Sequence, residues 1–129
     1  FISGTAAEGE QLRPWLQEHA AFCTDLTGRL SLGQLISFLA VADGLVAAST
    51  GPIHLAAALG RHALGLFPPL RPLHPGRWAP LGPHAEYLVL DKPDCQDCRQ
   101  DPGACTCIQA ISAVEALTRL NTWQPLPAL

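Results

Sequence analysis

The sequence predicts an α/β chain built on a parallel sheet flanked by helices, and three observations carry that expectation. A short, fully apolar run at 44–48 (GLVAA) suits a parallel strand covered on both faces, and 62–67 (HALGLF), apolar after His62, supplies another strand. The segment between them is helix-like with tight turns on either side, so strand, helix and strand succeed one another as a right-handed βαβ unit. A third strand, EYLVL at 86–90, follows a long proline-rich connection. At 129 residues and 48% hydrophobic content the chain suits a single domain, 1–129, with a sizeable core.

The elements follow in order. FISGT has the pattern of a buried strand's tail running into a glycine turn. With no methionine in the chain, it suggests a fragment lacking its first strand and helix. Leu12, Trp15, Leu16 and His19 recur at helical spacing and place a helix at about 10–20, with Pro14 tolerated near its start. AFCTDL reads as a short strand with Cys23 in the core, followed by a turn at Gly28. Ser31 and Gln34 form a capping-box pattern ahead of Leu32, Leu35, Ile36 and Leu39, giving a helix over 31–41. Between Pro68 and Pro83 lie six of the twelve prolines, which predicts a long, stiffened surface loop. Ile108, Ile111, Val114 and Leu117 mark a last helix at about 106–120, and the tail NTWQPLPAL is too proline-rich to continue it. His19, His62 and His84 carry no functional signal and are assigned to helix surface, strand edge and loop.

Charge and hydropathy exclude several classes of function. The net charge is −3, and Lys92 is the only lysine among eight basic residues, so the chain lacks the basic surface that holds nucleic-acid phosphates. No apolar run approaches the roughly 20 residues of a membrane span, and the N-terminus has no signal-peptide pattern. A soluble, intracellular chain is expected.

The stretch LVAASTGPIHLAAALG, residues 45–60, carries the chemistry. With Pro52 at the first helical position, the N–H groups of Gly51, Ile53 and His54 would point out of the helix start without intrahelical partners. The helix dipole adds partial positive charge there, Gly51 allows close approach, and Ser49 and Thr50 offer hydroxyls. The carboxyl end of a parallel strand is also where open α/β sheets bind ligands. An anion cradle with His54 as a further donor is one reading; a plain helix cap with a core histidine is the other, and these residues alone leave both open.

DGLVAASTGPIHLAAALG, followed by LGLFPP, a proline-rich loop and a cysteine cluster, resembles the C-terminal half of glycosyltransferase family 9, the lipopolysaccharide heptosyltransferases. GRLSLGQLISFLAVAD and FISGTAAEGE are similar to the helix and the glycine turn that precede that motif in the family, so the likeness covers most of residues 1–120. The resemblance implies the donor-binding, Rossmann-like domain of a GT-B enzyme, acting in lipopolysaccharide core biosynthesis at the cytoplasmic side of the inner membrane. It places a nucleotide-sugar donor, ADP-heptose-like, against Ser49, Thr50, Gly51, Pro52 and His54, with the diphosphate at Thr50, Gly51 and His54. Glu8, or Glu10 in a shifted register, would hold the ribose, and Ser31 and Leu32 would lie near the base. The catalytic carboxylate and the lipid-linked saccharide acceptor would belong to a missing N-terminal domain, so no catalytic residue is assigned here. Ser49 stands where the family usually has aspartate, which separates the sugar contact from the phosphate contacts.

Cys95, Cys98, Cys105 and Cys107 are spaced C-x2-C-x6-C-x-C. Four close thiolates could take zinc or iron, but the C-x-C half is poor for such a site and a reducing compartment opposes disulfides. Thiols packing a turn are preferred, with no cofactor required. Arg71, His74, Arg77 and Trp78 sit on the rim assigned to the ligand, where contact with a phosphorylated acceptor competes with the plainer, preferred reading of a solvated loop. A noncatalytic nucleotide- or anion-binding module of the same layout is the alternative function, and a small metal-stapled interaction domain a third.

Overall fold

The computed structural model describes residues 1–92, 101 and 105–127. They form α1 (Ala6–Glu18), α2 (Leu32–Val41), β1 (Gly44–Ala48), α3 (Gly51–Ala58), β2 (His62–Phe67), α4 (Pro75–Trp78), β3 (Ala85–Val89) and α5 (Ala113–Leu120). The fold is mixed α/β and Rossmann-like, with its three strands parallel in the order β1-β2-β3. The chain groups into two compact units, Phe1–Ser37 and Phe38–Leu129.

In the first unit, α1 starts at Ala6 and not near residue 10, and Pro14 lies inside it. The reason is a capping box. The Thr5 hydroxyl accepts the Glu8 N–H at 3.2 Å, while Glu8 Oε2 accepts the Thr5 N–H at 2.6 Å and its hydroxyl at 2.8 Å. A start this strong outweighs the one intrahelical bond that Pro14 cannot make. AFCTDL forms a single parallel bridge, Ile2 to Asp25, in place of a strand. Turns after α1 use up residues 19–23, since the His19 carbonyl accepts from Phe22 and Cys23 N–H, and little chain is left to pair. Cys23 is half-buried, its thiol donating to the His19 carbonyl, and is not a core residue. Gly28 turns as expected at φ +68°, a region other side chains avoid. The second capping box is also present, with Ser31 N–H on Gln34 Oε1 at 2.9 Å and Gln34 N–H on Ser31 Oγ at 3.3 Å.

These local bonds set an acid limit for the first unit. Hydrogen bonds from the Thr5 N–H and hydroxyl hold the Glu8 carboxyl below its ordinary value of 4.5, and the Thr27 hydroxyl and N–H, with Arg29 and Arg13 nearby, hold Asp25 below 3.8. A lowered folded pKa gives stability that is complete above the ordinary value and lost as pH falls through the folded one. The melting temperature is therefore expected to be level from neutral pH to about pH 5 and to fall below about pH 4. Glu8→Gln should flatten part of that fall; an unchanged acid limb in this variant would remove Glu8 from the account.

In the second unit, β2 is central and nearly wholly buried, pairing Gly44↔His62 to Ala48↔Leu66 on one side and Ala63↔Ala85 to Phe67↔Val89 on the other. β1 lies at an edge and is not covered on both faces, with Val46 39% exposed. Helix α3 packs on β1 and β2. Its Ile53, Ala56 and Ala57 are buried together with Leu64, Phe67, Leu70 and Leu88, and the alanines let helix and sheet approach closely.

The proline-rich connection is more ordered than a surface loop. It makes a 3₁₀ turn at Arg71–Leu73 and the short helix α4, each with proline in its first turn, and Pro68, Pro69, Leu70, Pro75 and Pro80 are buried. The expected last helix divides into a 3₁₀ turn, Cys107–Ala110, and α5, because Ile111 is extended and the Ser112 hydroxyl caps Glu115 N–H. Arg119 on α5 pairs with Glu86 on β3 at 2.9 Å.

His62 is a buried residue of the central strand rather than an edge residue. Trp123 stacks on it at 4.9 Å and 8°, its Nε2 lies 2.9 Å from the Gln124 carbonyl, and His84 is 5.0 Å away. The tail thus packs on the amino ends of the strands, where Arg61 also donates to the Pro127 carbonyl at 2.5 Å.

Candidate functional site

The carboxyl end of β1 turns into α3 within two residues. The Ala48 carbonyl accepts both the Thr50 N–H, at 2.6 Å, and the Thr50 hydroxyl, at 3.3 Å. Thr50 is extended, caps α3 without a side-chain bond to the helix, and its carbonyl accepts the Ile53 N–H at 3.3 Å. The cradle therefore differs from the expected one: Ile53 N–H is turned inward, and the Thr50 hydroxyl proton is given to the strand. Among the described residues, the Gly51 N–H, the Ser49 hydroxyl and the His54 ring have no partner.

Gly51 is exposed, and a Cβ added there would meet nothing within 4 Å. Neither a left-handed backbone nor a neighbouring side chain requires glycine at this position. The bare backbone keeps open a space that the chain itself does not fill. Ser49 and His54 are half-buried, and His54 stands one turn into α3. No aspartate or glutamate occurs from Gly44 to Ala85, a stretch that carries Arg61, Arg71 and Arg77. An anion at this helix start would meet no repelling carboxylate from its own segment.

The remaining predicted site residues belong to the first unit. Glu8 is engaged in the α1 capping box, and Glu10 pairs with Arg13. Ser31 caps α2 and Leu32 is its largely exposed first residue. A cleft of about 340 Å³ in this unit is lined by Arg13, Gln17, Asp25 and Arg29 among others, and includes none of Glu8, Ser31 and Leu32. Of the cysteines, Cys105 and Cys107 are half-buried, whereas Cys95 and Cys98 lie outside the described residues. Among the described residues no three His, Cys, Asp or Glu side chains gather to hold a metal.

Residues 1–108 match glycosyltransferase family 9 (heptosyltransferase). The chain belongs to this family. Family 9 is a family of glycosyltransferases, so its chemistry joins a sugar donor to an acceptor, and the strand-to-helix turn at Ser49–His54 falls inside the matched region. A protein of Haemophilus influenzae named "Putative glycosyltransferase" is 29% identical over 86 residues, covering 67% of this chain and 25% of the relative. The chain thus spans about a quarter of that relative's length. No solved structure matches the chain.

Proposed function

We propose that this chain is the donor-binding half of an inverting glycosyltransferase of lipopolysaccharide core biosynthesis and holds the diphosphate of an ADP-heptose-like donor at the start of α3. The observation that carries the reading is Gly51, exposed, with no atom within 4 Å of where a Cβ would lie and, among the described residues, without an acceptor for its N–H, at the carboxyl end of a parallel strand. Its N–H and the helix dipole suit a phosphate oxygen. Rotation of the Thr50 hydroxyl away from Ala48 supplies a second donor, and His54 a third.

In the transfer, an acceptor hydroxyl gives its proton to a carboxylate of the other half of the enzyme. Its oxygen forms the new bond to the sugar C1 as the bond from C1 to the diphosphate oxygen breaks. Gly51, Thr50 and His54 stabilise the charge that grows on the leaving diphosphate. No metal or cofactor is required in this scheme. The acceptor is a lipid-linked saccharide, reached from the cytoplasmic face of the inner membrane; among the described residues no helix is long and apolar enough to cross a membrane. The chain by itself is expected to bind without turnover. Calorimetric titration with ADP, UDP and GDP tests the reading, and it fails if no diphosphate binds.

Ser49 is assigned to the sugar, because it stands where the resemblance expects aspartate, precedes the phosphate cradle and, among the described residues, has no partner for its hydroxyl. A charged hydrogen bond to a sugar hydroxyl contributes about 1.5–3 kcal/mol, or roughly one to two powers of ten in affinity. Ser49→Asp is therefore expected to tighten ADP-heptose by that factor and to leave ADP unchanged or weaker. Equal effects on the two ligands would show that position 49 reads phosphate.

A further inference from the structure

We propose that Arg71–Trp78 is a contact for a phosphorylated saccharide, the acceptor-side neighbour of the α3 start. Strands β1 and β2 are parallel with Ala48 opposite Leu66, so the segment leaving β2 after Phe67 emerges from the same end of the sheet as Ser49–Gly51. It is not a slack loop. Pro75 is buried, His74 Nδ1 accepts the Gly76 N–H at 3.0 Å, and the Trp78 indole N–H donates to the Pro72 carbonyl at 2.9 Å, which fixes the ring.

What this rigid turn presents is cationic and aromatic. Arg71 and Arg77 are exposed, Trp78 is 44% exposed, and the Arg77 guanidinium lies 5.2 Å from its ring centroid. Among the described residues neither arginine has a carboxylate partner, and no carboxylate occurs in the whole stretch from Gly44 to Ala85. A merely solvated loop in a chain of net charge −3 has no need of a fixed indole or of two unneutralised guanidinium groups. A guanidinium fork matches the oxygens of a phosphate monoester, and the face of the immobilised indole away from Arg77 offers a flat apolar surface to the C–H side of a sugar ring. Both features in eight residues select a sugar that carries phosphate.

That this sugar is the acceptor rests on the donor reading above, since transfer requires a second saccharide beside the donor diphosphate at one end of the sheet. The test uses the full chain and glucose 6-phosphate as probe, with glucose, ADP, and vesicles of phosphatidylcholine with and without phosphatidylglycerol as further arms. Glucose 6-phosphate is expected to bind weakly and at least about tenfold tighter than glucose. Arg71→Gln with Arg77→Gln should weaken it about tenfold or more, as should Trp78→Ala, while ADP affinity stays within about twofold and the melting temperature holds. The proposal is overturned if the arginine variant binds the probe unchanged, if ADP displaces the probe competitively, or if only the phosphatidylglycerol vesicles bind in an arginine-dependent way. Absence of ADP binding to the unmodified chain would count against the donor reading alone, because the sugar-phosphate arm is read independently of it.

Discussion

Gly51→Val is expected to weaken ADP binding by about a hundredfold with little change in stability. The space above Gly51 is empty to 4 Å and its backbone is not left-handed, so valine fits the folded chain, and its helix propensity is no worse than that of glycine. Its methyl groups would occupy the place assigned to phosphate oxygens. Losing two hydrogen bonds to a charged group, at about 1.5 kcal/mol each, corresponds to roughly a hundredfold in Kd. Titration of both proteins with ADP, alongside their melting curves, checks this. Equal affinities would move the diphosphate away from α3, and a collapsed melting curve would mean that glycine serves the fold.

The largest effect on stability is expected at Phe67. It is fully buried at the end of the central strand, meets Tyr87 edge-on at 6.2 Å and 77°, and its ring occupies the space where Gly65 lacks a side chain. Phe67→Ala should cost about 3–5 kcal/mol, a large share of a small domain's stability of about 5–15 kcal/mol. Leu81→Ala, at a side chain 86% exposed, should stay within about 0.5 kcal/mol. Urea unfolding followed by circular dichroism measures both. A Phe67 loss no greater than that at Leu81 would show that the core does not depend on this ring.

Signals of short range translate most directly into structure. The Ser31–Gln34 box, the Gly28 turn, and the strands at 44–48 and 62–67 follow from neighbouring residues, and the structure has them. Where two local signals compete, the balance is harder to read. Thr5 and Glu8 start α1 despite Pro14, and Ser112 restarts a helix that the apolar spacing of 108–117 had suggested was continuous. At the site, the sequence alone identifies a glycine and hydroxyls at a helix start. The inward bond of Ile53 N–H and the return of the Thr50 hydroxyl to Ala48 depend on the tightness of the turn, which composition does not encode.

By itself the sequence determined the α/β class, the parallel strands and the location of the glycine-containing strand-to-helix turn, because each depends on residues within one or two turns of chain. Only the tertiary structure decided which strand is covered and which stands at an edge, that His62 is buried under Trp123, and that the prolines of 68–80 are partly core. It also placed Arg77 over Trp78 on a turn that follows the carboxyl end of β2. These outcomes depend on the burial of groups distant in sequence, whose desolvation and packing energies exist only once the chain has brought them together.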